Sequence, residues 1–316
     1  MTREINRCGL LAGPVTVAGM TIDARAMWVR FETYHDVTYF TPESRAATDE
    51  LGCKGGWMGY FGMRAAPLGA ASPELVAATF YNFHPAKVAR AIPDAWRIAA
   101  PEEYLRVRLL GADRSIRRML PASMLESAEL AEAAVLLRSA AEHAPTAGRP
   151  LGAANAALDW PTEPHLVLWQ AATLLRESRG DGHVAALVAA GLDPCETLVI
   201  FGADRGIDPG YLRLARGWSE DEWQRAHQRL VDRDLITPAA ELTDAGAELR
   251  RWVEERTDEG GALPWQAIGA DATARTAALL TPISLSLAQA NSAMEVNPMA
   301  LSPVAELSRP MAERAG

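Results

Sequence analysis

From residue 219 onward the apolar positions fall into one stripe. Ser219 is followed three residues later by Glu222, the arrangement in which a side-chain oxygen and a carboxylate satisfy the free backbone donors at a helix start. Trp223, Ala226, Leu230 and Val231 then share one helical face. The pattern breaks at the β-prone pair Leu235 and Ile236, Pro238 stops it, and Glu241 to Thr243 can return antiparallel. Thr243 can cap a second helix, which carries Leu249, Trp252 and Val253 as its apolar face, with Arg256 one turn on. The stretch 212–258 therefore reads as helix, short strand, tight turn, short strand, helix.

Upstream, helical patterns are punctuated by proline and glycine. Residues 1–22 have no strong period, although part can be helical. A helix is predicted over 24–40 and ends at Thr41, because a residue before proline is pushed out of the α region. Pro42 opens another helix, which Gly52 ends. The glycine-rich run 52–62 reads equally as a loop or as a helix whose glycines allow close packing. Ser72-Pro73 and His84-Pro85 start short helices, proline being harmless at the first helical position. Longer helices are predicted over 101–120, 122–143 and 165–180, the last ending at Gly180, with shorter ones at 183–192 and from 193. Residues 265–290 hold one more helix, and from Asn291 the chain turns polar and reads as frayed.

The division that follows is an N-terminal helical domain over 1–144, with room for a diverged copy of the C-terminal unit. A linker over 145–163, the 164–270 domain and a terminal helix with tail over 271–316 complete it. A chain of 316 residues suits two domains.

The short wing between Leu235 and Thr243, followed by LTDAG and a long helix with WVEERTD, resembles the MarR-type winged helices over about the last third of the chain. FETYHDVTYFTPE (31–43), GYFGMRAAPLG (59–69), LWQAATLLRESRGDGHVAAL (168–187) and RGWSEDEW (216–223) resemble an uncharacterised bacterial family of similar length classed as helix-turn-helix proteins. The resemblance implies a fold and carries over no activity. The expected class is mainly α in two helical domains, the C-terminal one a winged helix with a small antiparallel β-wing.

Charge changes the picture for partners. A net charge of −9 argues against a protein whose chief partner is nucleic acid, since phosphate binding needs a basic footprint. Three widely spaced cysteines, Cys8, Cys53 and Cys195, fit a reducing, cytoplasmic location. The apolar run 8–20 is broken by Gly, Pro and Thr and lacks a clear cleavage site, which argues against a signal peptide. No stretch approaches the ~20 apolar residues of a membrane span.

Candidate chemistry falls in two clusters. Glu32 and His35 share a helix face with Trp28 and Tyr39. No second ExxH accompanies them, so a di-iron site is disfavoured. The alternatives are a Glu–His hydrogen bond in the core, or an acid/base pair in which the carboxylate raises the imidazole pKa. The second cluster is Arg179, Asp181 and His183, framed by glycines at a helix start. Asp181 could cap that helix, or the helix start could hold an anion, and Arg176 with Arg179 could bind a carboxylate or phosphate. Arg64 lies among apolar residues and is expected to pair with Glu32 or Glu43. The sequence specifies no metal and no cofactor.

DNA binding is tested by the helix at 219–233. Its first turn, Glu220, Asp221 and Glu222, repels phosphates, although Arg225, Gln228, Arg229 and Arg233 remain as contacts. The wing carries no Lys or Arg. The favoured reading is a small-molecule-binding protein, with enzyme activity left open. Its pocket lies between the domains, lined by Glu32, His35, Tyr39, Arg64, Arg179, Asp181 and His183. The alternatives are a MarR-like DNA-binding regulator and a partner-binding or structural homodimer.

Overall fold

The computed structural model describes residues 23–39, 41–292 and 297–308 and the backbone of 16–17 and 20–21. Expectations for the first fifteen residues and for the last eight lie outside that range. The fold is mainly α. A minimal antiparallel hairpin, β1 (Thr16–Val17) with β2 (Met20–Thr21), stands where no strand was expected.

In chain order the helices are α1 (Ala24–His35), α2 (Pro42–Leu51), α3 (Gly56–Ala65), α4 (Pro73–Thr79), α5 (Pro85–Ala89) and α6 (Asp94–Ile98). Next come α7 (Pro101–Met119), α8 (Ala122–Leu125), α9 (Ala128–Glu142), α10 (Pro150–Ala156) and α11 (Pro164–Ala189). The last six are α12 (Pro194–Arg205), α13 (Pro209–Arg216), α14 (Glu220–Asp232), α15 (Asp244–Ile268), α16 (Ala270–Ala290) and α17 (Pro303–Ser308). Proline opens α2, α4, α5, α7, α10, α11, α12 and α13, where its missing N–H has no helical partner to lose.

Helix α11 organises the molecule. Its first half, with Leu168, Trp169, Leu174 and Leu175, lies in a central core shared with α1, α7, α9 and α16. Its last turns, with Ala186 and Leu187, enter a second core with Leu198, Leu212, Trp223, Leu230 and Val253. A third, aromatic-rich core gathers Phe61, Phe80, Phe83 and Tyr104 from α3 to α7, with Leu151 of α10.

Three local expectations are corrected. Residues 164–189 form one helix with no break at Gly180, so Asp181 and His183 do not lie at a helix start. Two glycines in a helix interior cost about 1 kcal/mol each, but at Gly182 the space is taken, because an added Cβ would sit 3.0 Å from the Arg149 guanidinium. Secondly, the two strands of the wing reduce to a single antiparallel bridge between Ile236 and Leu242, closed by Thr237 N–H donating to the Glu241 carbonyl at 2.8 Å. Thirdly, Trp252 is 37 % exposed while Val253 is fully buried, so the apolar face of α15 is narrower than its sequence suggests. The glycine-rich run 52–62 divides into a turn over 52–55 and the first part of α3 from Gly56, and the segment expected as a linker contains α10, which packs on α11. Among the described residues no single helix is long and apolar enough to cross a membrane.

Candidate functional site

The middle of α11 carries Arg176, Glu177, Arg179, Asp181 and His183 on an otherwise apolar helix. All of these but Glu177 border a cavity of about 210 Å³, bounded also by α1, α3, the segment 79–83, α12 and α15. Glu32, Arg64, Arg176, Arg179, Asp181 and His183 all line it. The structure thus brings together charged residues that lie some 150 positions apart in sequence. His35 and Tyr39 do not line it. They form a layer behind Tyr60, with Tyr39 edge-on to both His35 (5.3 Å) and Tyr60 (5.0 Å).

The expected Glu32–His35 contact does not form. Glu32 accepts from Trp28 Nε1 at 2.8 Å and from Arg176 Nε at 3.1 Å. His35 Nδ1 shares a hydrogen bond with Thr173 Oγ1 at 3.0 Å, and its buried Nε2 has no hydrogen-bond partner among the described residues. Burial, reinforced by Arg176, holds the His35 pKa well below the ordinary range, opposite to the rise that a carboxylate neighbour would give. The register explains it: on a helix these residues share a face, but the neighbouring Trp28 and the guanidinium from α11 reach the carboxylate first.

Arg64 pairs with neither Glu32 nor Glu43. Its guanidinium makes a two-pronged contact with Glu177, both bonds at 2.9 Å, and donates to the Tyr60 hydroxyl at 3.0 Å. Glu43 instead accepts from Arg118. Burial pushes the Glu177 pKa up, but Arg64 and Arg176 outweigh it and hold the carboxyl well below its usual range. Arg179 pairs with Asp258, and Arg25 and Arg250 share Glu254, each at 2.7 Å. Burial raises Glu254 while Arg250, His183 and the other arginines lower it, and the balance puts it at about 2.

Asp181 caps a helix other than its own. One carboxylate oxygen accepts from Gly152 N–H at 2.8 Å, in the first turn of α10. Desolvation nonetheless raises it to about 6. His183 Nδ1 bonds Thr257 Oγ1 at 2.9 Å, and burial lowers its pKa to about 4.

Several lining residues were not anticipated: Arg25, Glu254, Arg250, Arg216 and the segment 79–83. The signal available was the charged block of 176–183 inside an apolar helix, which requires countercharges from elsewhere. Nothing local in the sequence says which elements supply them. Among the described residues no three His, Cys, Asp or Glu side chains converge to hold a metal ion.

The contacts considered for DNA are largely engaged within the chain. Arg229 bonds Asp193 and Glu196, Arg233 bonds Glu196 and the Gly191 carbonyl, and Gln228 bonds Asp232. Arg225 is exposed. The start of α14 is itself docked: Glu222 caps Ser219 and meets His84 Nε2 at 3.0 Å, while Trp218 donates to the Asn82 carbonyl at 3.0 Å. Lys87 donates to the carbonyls of Leu214 and Ala215 at the end of α13.

No curated protein and no solved structure matches the chain. A family model described as a helix-turn-helix family matches residues 24–294, nearly all of the described fold, and the chain belongs to that family.

Proposed function

We propose that the protein binds a small molecule in the cavity beside α11, and that α12 to α15 serve as a winged-helix scaffold for it. The order α12, α13, α14, bridged turn, α15 supports a winged-helix reading of the MarR type. The observation that carries the proposal is the direction of the charged block on α11. It faces a partly open cavity lined by aromatic rings and ionised groups, a setting in which polar groups can orient a ligand. Binding is favoured over catalysis, because Glu32, His35, Asp181 and His183 each have a structural hydrogen-bond partner. Cys53 and Cys195 are both free and buried, which supports a cytoplasmic location.

Family membership favours a second reading, a DNA-binding regulator. The docked, acidic start of α14 and its engaged arginines weigh against it.

The test is a thermal-shift screen of mixed small molecules against the full chain and against Val184→Trp, which fills the cavity. Compounds that raise the melting temperature of the parent and lose the effect in the filled variant are expected. A screen without hits, or hits indifferent to the filling, would remove the proposal.

A further inference from the structure

Six arginines line the cavity: Arg25, Arg64, Arg176, Arg179, Arg216 and Arg250. Five have carboxylate partners. Arg25 pairs with Glu254, Arg64 with Glu177, Arg176 with Glu32 and Glu177, Arg179 with Asp258, and Arg250 with Asp204 and Glu254. Arg216 has no carboxylate within ion-pair distance among the described residues, and its buried Nε has no hydrogen-bond acceptor. Arg216 is half-buried, and a guanidinium drawn partly out of water without a countercharge costs free energy. Its backbone carbonyl accepts from His84 N–H at 2.9 Å, a tertiary contact that does not depend on the side-chain charge.

The surroundings define the missing partner further. Arg216 lies over the Phe83 ring at 4.5 Å, and Arg64 lies over Phe80 at 4.3 Å. A guanidinium held at cation–π distance from a ring still has several N–H donors for a further partner. Tyr60 accepts from Arg64, and its own hydroxyl proton has no acceptor among the described residues. One free planar cation and one free O–H donor therefore share a cavity with Phe80 and Phe83. At about 210 Å³ the space is below the usual ~300–1,000 Å³ of ligand pockets, so its occupant is compact.

We infer that the ligand is a small flat or aromatic molecule bearing one anionic group, a carboxylate or a phosphate, which pairs with Arg216 and accepts from Tyr60. The inference rests on the proposal that a small molecule occupies this cavity and specifies its class.

The experiment compares benzoate, phenyl phosphate, benzyl alcohol and benzylamine by calorimetry and thermal shift. The proteins are the full chain, Arg216→Met, Tyr60→Phe and the filled variant Val184→Trp. Methionine keeps an apolar stem over Phe83 and removes the charge, so Arg216→Met is expected to melt no lower than the parent. At least one of the two anions is expected to bind the parent about tenfold or more tightly than benzyl alcohol, the usual weight of a charge-assisted bond. Arg216→Met is expected to lose that preference, and Tyr60→Phe to weaken it without reversing it. The better of benzoate and phenyl phosphate identifies the anion. The inference is overturned if neither anion binds at millimolar concentration, or if the anion preference survives in Arg216→Met. Benzyl alcohol binding as well as the anions, and lost in Val184→Trp, would overturn the anionic assignment alone and leave cavity binding standing. Should Arg216→Met fail to fold, an anion preference unchanged in Tyr60→Phe would count against the assignment.

Discussion

Two side chains two residues apart on α11, Asp181 and His183, respond to acid in opposite directions. The folded carboxyl of Asp181 sits at about 6 against an ordinary 3.8, so the folded state holds its proton more tightly than the unfolded chain. Its contribution to stability grows as pH falls from about 6 towards 4. His183 sits at about 4 against 6.5, so the unfolded chain takes the proton first and stability is lost as pH falls through that window. At about 1.4 kcal/mol per pKa unit the upper bounds are ~3 kcal/mol for Asp181 and ~3.5 kcal/mol for His183. Urea melts at pH 4.5, 5.5 and 7 should separate them. Asp181→Asn is expected to steepen the acid loss and to leave stability at pH 7 unchanged or higher, since asparagine retains an acceptor for Gly152. His183→Gln is expected to flatten the loss. Identical slopes in all three proteins would show that neither group is as buried as its surroundings indicate.

At the scale of elements, the turn between α14 and α15 depends on one close approach. A Cβ on Gly246 would lie 1.9 Å from the Leu235 carbonyl oxygen, which is backbone and cannot swing away. Gly246→Ala is expected to open the Ile236–Leu242 bridge and to destabilise by about 2 kcal/mol or more, within the range of overpacking. Denaturant unfolding measures it, and a loss below 0.5 kcal/mol would mean that the turn is loose. Trp223 anchors α14 in the core with Leu198, Leu212 and Val253, at 5 % exposure. Trp223→Ala should cost roughly 3–5 kcal/mol, and a melting curve unchanged within error would place it outside that core.

Over the whole molecule, charge and docking combine against nucleic acid. The net charge is −9, and α14 opens with three carboxylates. Its first turn is tied through Glu222 and Trp218 to the 82–84 segment, which also borders the cavity. Fluorescence anisotropy with random duplex DNA at physiological salt is expected to show no tight association. Sub-micromolar binding with a steep salt dependence would restore the regulator reading.

Local signals carried the helices and little else. Proline at first-turn positions, the Ser219–Glu222 box and the Trp223–Ala226–Leu230 stripe are interactions within a few residues, so the sequence states them outright. The same locality misled at Gly180 and Gly182, which lie inside α11 despite their helix-breaking propensity, Gly182 against Arg149, a residue some thirty positions away. It also misled at Arg64 and Glu32, whose partners were sought nearby and came from α11. That charged residues on 176–183 needed company was legible. That Glu32, Arg64, Asp181 and His183 would meet around one cavity, with His35 and Tyr39 one layer behind, was decided by how α1, α3 and α11 pack. The unmatched Arg216 belongs wholly to the tertiary structure. A charge is unpaired only by comparison with every other charge within reach, and that comparison exists only once the chain has folded.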